Sequence, residues 1–94
     1  MFLLEILFLL AEYMSERVFN LKSLAKLKYD LEIKTIELEE LMKDRKRMWD
    51  TIDRDGINFY TKHSKDIMQC TVEFKELEIK RCTIDIEYLN SKLK

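Results

Sequence analysis

The chain has 94 residues, enough for one domain, and its net charge of −1 supplies no global field to draw it to nucleic acid or anionic lipid. It is 47% hydrophobic and 37% charged, too apolar for disorder and too charged for a membrane-embedded chain. A single glycine, no proline and heavy use of Glu, Lys, Leu, Ile and Met point to an all-α fold of long helices.

Residues 1–14 are apolar except for Glu5 and Glu12, which share one face of a helix. The remainder of that helix is greasy all round, and such helices are buried. Acid within the segment and the lack of a basic start argue against a signal peptide. The segment is also shorter than the roughly 20 apolar residues a membrane span requires.

A seven-residue repeat runs from Leu3 to Ile52. One line is Leu7, Met14, Leu21, Lys28, Thr35, Met42 and Trp49; the other is Leu3, Leu10, Arg17, Leu24, Leu31, Leu38, Arg45 and Ile52. These lines form a coiled-coil-like seam with polar interruptions. Leu27, Leu41 and Met48 widen it on one side, which favours a helical bundle over a simple dimeric rod.

The break falls at Asp53-Arg54-Asp55-Gly56-Ile57-Asn58, which contains the only glycine. Asp53, Asp55, Gly56 and Asn58 are residue types that accept positive φ or build local side-chain turns, and Asn58 is a plausible N-cap. The expected architecture is a long antiparallel helical hairpin in one domain. Its first helix covers 1–52, with a break near Ser15 left open, its turn 53–57 and its second helix 58–93. An unbroken rod is the alternative, because glycine within a helix costs only ~1 kcal/mol.

The second helix carries two seams. One runs Tyr60, His63, Ile67, Cys70, Phe74, Leu77, Arg81, Ile84, Tyr88; the other runs Val72, Ile79, Cys82, Ile86, Leu89, Leu93. Alternation in Tyr29–Ile33 and in Cys82–Tyr88 admits a strand reading, foremost within residues 71–89, but several strands need several turns and only one good turn signal exists.

Folding at Gly56 sets the second helix against about residues 17 to 52 and leaves 1–16 without cover. Leaving Leu, Ile and Phe there exposed forgoes on the order of 1.5–3 kcal/mol each. Pairing with a second copy, most simply as a dimer, is the expected remedy. Leu3, Leu7, Phe8, Leu10, Met14, Leu21 and Leu24 are the expected interface residues.

Signals for chemistry are weak. Aligning Gly56 with the glycine of a calcium loop puts Lys62 at the closing ligand, where a glutamate is needed. His63 and Cys70, about 10 Å apart along a helix, cannot grip one ion, and Cys82 is a small core filler. The basic run Lys43-Asp44-Arg45-Lys46-Arg47 is ringed by Glu39, Glu40 and Asp50, which cancel its field. One histidine, no glycine-rich phosphate loop and no nucleophile motif leave no catalytic, cofactor or metal constellation. Two cysteines without a scaffold fit a reducing, intracellular and cytoplasmic setting.

The expected function is therefore a protein–protein interaction module: an adaptor, scaffold component or protein inhibitor acting through self-association and helix packing. The alternatives are a peripheral membrane protein inserting residues 1–14 and, more remotely, a nucleic-acid-contacting helical protein using residues 43–47.

Overall fold

The computed structural model describes residues 2–94, with the side chains of Phe59 and Tyr60 excepted. Met1, the head of the leading apolar segment, and the Tyr60 side chain, the head of one expected seam, lie outside the described residues. The chain forms helix α1 (Phe2–Asp55) and helix α2 (Phe59–Leu93), which pack against each other as an antiparallel hairpin. Its extents are 79 × 18 × 16 Å. The longest dimension is that of α1 alone, about 80 Å for a straight helix of this length.

Both Tyr29–Ile33 and Cys82–Tyr88 are helical, and no strand occurs among the described residues. Heptad spacing outweighs local alternation here, because a helix of this chain can bury a stripe and an isolated strand cannot. Nor is the chain one unbroken rod. α1 runs through Ser15 without interruption and continues to Asp55, so Asp53 and Asp55 belong to its last turn and the connection is residues 56–58.

Gly56 has φ 82° and donates its N–H to the Ile52 carbonyl at 2.7 Å, closing α1 in the left-handed conformation that glycine reaches without strain. Asn58 then starts α2. Its Oδ1 accepts from Thr61 N at 2.9 Å, and its own N–H donates to Thr61 Oγ1 at 2.8 Å, a reciprocal capping box.

Burial corrects the expected seam of α1. The line Leu24, Leu31, Leu38, Arg45, Ile52 does face α2. Its companion is Leu27, Lys34, Leu41, Met48; of the expected second line, Leu7, Met14, Leu21, Lys28, Thr35 and Met42 are exposed and Trp49 is half-buried. A heptad line can be completed by residues three before it or three after it. The set three after is the more apolar, and its one charge, Lys34, finds Glu78 across the interface at 3.5 Å.

On α2 the inner face is the seam Val72, Ile79, Cys82, Ile86, Leu89, Leu93. Val72 is fully buried, and Leu24, Cys82 and Ile86 form a core cluster against which Leu27, Leu31, Leu89 and Leu93 pack. The Cys82 thiol donates to the Leu27 carbonyl at 3.2 Å, so a small side chain lets the two backbones approach closely.

Candidate interaction surfaces

Three features of the hairpin bear on what it can bind: a polar clamp along the edge of the helix contact, an overhang at one end and an outer stripe on α2.

The clamp sits midway along the helices. Lys75 Nζ donates to Glu37 Oε2 at 2.8 Å and lies 3.7 Å from Glu78, which also meets Lys34. The Glu37 hydrogen bond holds Lys75 above the ordinary lysine value; the Glu37 and Glu78 charges add to this, and burial opposes it. Further along, Arg45 donates to Gln69 Oε1 at 3.2 Å. Polar layers within a seam fix register and orientation more than they add stability. Here they are occupied within the chain.

That occupancy bears on the basic run 43–47. Arg45 is turned into the hairpin, and Arg47 pairs with Asp44 at 2.9 Å. Lys65 Nζ lies over the Trp49 ring, 4.9 Å from its centroid. Lys43, Lys46 and Arg47 remain outward, Arg47 while paired with Asp44.

The overhang follows from unequal helix lengths. α2 ends beside Arg17, whose guanidinium donates to the Leu93 carbonyl at 3.3 Å and meets the negative end of the α2 dipole. Residues 2–16 extend beyond it for about 22 Å, and every one of them is exposed. Among the expected interface residues, Leu3, Leu7, Phe8, Leu10 and Met14 lie on this overhang. Leu21 stands on the outside of the hairpin, half exposed. Leu24 is not available to a partner, because it is buried against Cys82 and Ile86 of its own chain.

The outer stripe is the other expected seam of α2. His63, Ile67, Cys70, Phe74, Leu77, Arg81, Ile84 and Tyr88 are all exposed, Phe74 and Leu77 each by 64%. Most of the line lies on the side of α2 away from α1, displaced by about half a helical turn from Val72 and Ile86, while Phe74 and Arg81 also border a groove with Leu27, Asp30 and Lys34 of α1. A shallow depression in the stripe is lined by His63, Asp66, Ile67, Cys70, Thr71 and Phe74. Sequence periodicity found this line but not its exposure, since both seams of α2 have the same spacing.

Thr51 to Asp55 are helical and Thr51 Oγ1 donates to the Arg47 carbonyl at 2.9 Å, so the twelve-residue calcium loop does not form. Cys70 is an exposed and Cys82 a buried free thiol. No group of three or more His, Cys, Asp or Glu side chains is placed to hold a metal among the described residues. Among the described residues no helix is long and apolar enough to cross a membrane. No protein-family model matches the chain, and neither does any curated protein or solved structure.

Proposed function

We propose that the chain is a protein–protein interaction module that self-associates and docks on partner proteins through helix packing, as an adaptor, scaffold component or protein inhibitor. The observation that carries this reading is the overhang, a helical end with Phe2, Leu3, Leu4, Leu7, Phe8 and Leu10 all in solvent. An apolar surface of that extent marks an interaction site. The molecule's exposed area is 7965 Å², against about 5,800 Å² for a compact monomer of the same mass. A cytoplasmic setting goes with this reading, given the free thiols.

Sedimentation of the full chain over a dilution series tests it. Dimers or larger species are expected to persist at micromolar concentration, and replacing Leu7→Lys and Leu10→Lys together is expected to shift the distribution toward smaller species. A monomer throughout overturns the reading. Lipid is the competing occupant of residues 2–14, although interfacial helices usually carry Lys and Arg where this one carries Glu5 and Glu12. Flotation of the full chain with anionic vesicles, combined with a monomeric sedimentation profile, assigns the overhang to a membrane surface instead.

A further inference from the structure

The outer stripe of α2 can be matched against itself. Its residues alternate by three and four, the spacing of a two-stranded seam. Turned antiparallel about a point between Phe74 and Leu77, the stripe sets Phe74 against a copy's Leu77 and Ile67 against a copy's Ile84. That point is also the middle of α2, which runs from Phe59 to Leu93, so the register that pairs these layers overlaps the two helices along nearly their whole length.

The charge within the stripe selects the same arrangement. Antiparallel, Glu73 lies beside the partner's Lys80. Arg81, the one charge within the stripe, falls on the partner's Cys70, between the partner's Asp66 and the partner's Glu73. Parallel and in register, Glu73 would face the partner's Glu78, Lys80 the partner's Asp85 and Glu87 the partner's Lys92, so the flanking charges are mixed there too; the deciding difference is that Arg81 would meet its own copy. Like charges at such positions oppose pairing, and opposite charges set orientation. The one like-charge approach in the antiparallel form, Asp66 with the partner's Glu87, is confined to the two ends. Glu78 is already held within the chain by Lys34 and Lys75, whereas Glu73 and Lys80 make no salt bridge among the described residues.

We propose that this stripe seats a second copy of the chain, α2 antiparallel on α2, giving a row of four helices with α1 on each outer side. The proposal deepens the reading of the protein as self-associating but uses a surface separate from the overhang. Standard interfaces remove about 800 Å² from each partner, and the excess of about 2,000 Å² over a compact monomer accommodates two of them. In the antiparallel dimer the overhangs emerge at opposite ends. A contact at each overhang then joins dimers end to end, so the assembly grows as a chain unless it closes on itself.

Cysteine chemistry tests the register. In the antiparallel form Cys70 and the partner's Cys70 are about 16 Å apart along the axis, too far for a disulfide; in the parallel form they face each other. The full-chain protein carrying Leu7→Lys and Leu10→Lys, which removes association through the overhang, is oxidised with copper phenanthroline. No covalent dimer is expected from it. Adding Arg81→Cys is expected to produce a reducible dimer linked Cys70 to position 81, and adding Leu77→Glu as well is expected to abolish it. A Cys70–Cys70 dimer before Arg81→Cys is introduced overturns the proposal, as does failure of the Arg81→Cys chain to link. If Arg81→Cys links but the lysine substitutions leave the assembly of the parent unchanged, the overhang reading fails and this one stands.

Discussion

The two faces of α2 offer the sharpest comparison in the molecule. Both are apolar lines of the same period, yet α1 covers one and leaves the other in solvent. The inner face has the small side chains Val72 and Cys82 at its centre and bottom, which permit close approach of the α1 backbone. It also carries Lys75, which answers Glu37 of α1. The outer face has the bulkier Phe74 and Tyr88 and the exposed Arg81, which makes no salt bridge among the described residues. Period alone marks a face as a seam; size and charge layer by layer decide which partner fits it.

The largest effect expected from breaking this asymmetry is in the core. Leu24→Ala empties a site packed by Cys82 and Ile86 and is expected to cost about 2–5 kcal/mol in chemical denaturation. Phe74→Ala, a larger truncation on the outer face, is expected to change the stability of dilute, monomeric protein by less than about 0.5 kcal/mol. Equal losses at the two sites would mean that the hairpin uses both faces of α2.

The connection sets which face of α2 turns inward, so the next effects lie there. Asn58→Ala removes the capping acceptor and is expected to cost about 1 kcal/mol. Gly56→Ala meets open space, but at φ 82° a Cβ is strained, at about 1 kcal/mol. Thermal or denaturant midpoints measure both. A Gly56→Ala protein as stable as its parent would show that the left-handed turn is dispensable.

The smallest effect concerns the clamp. Lys75 holds its proton more tightly folded than unfolded, so its contribution is present in full below the ordinary lysine value of 10.5 and is lost as pH rises through the higher folded value. Denaturation of the parent and of Lys75→Met is expected to run parallel at neutral pH and to converge above about pH 10.5. Curves that keep a constant separation through that range would remove the clamp as a source of register.

The sequence by itself determined that the chain is helical, that it turns at Gly56, that Asn58 caps α2 and that the leading residues outrun the second helix. These follow from local chemistry: one residue type that accepts positive φ, one cap, and unequal lengths of unbroken heptad on either side. Only the tertiary structure decided that Leu27, Leu41 and Met48, which the sequence placed at the seam's widened side, join Lys34 as its second line in place of Leu21, Lys28, Thr35 and Met42, and that Leu24 belongs to the protomer's own core. It alone separated the inner seam of α2 from the outer one. A helix repeat fixes the angular position of a side chain on its own axis, whereas the rotation of one helix against another is settled by contacts such as Lys75 with Glu37 and Cys82 with Leu27, which join residues far apart in the chain.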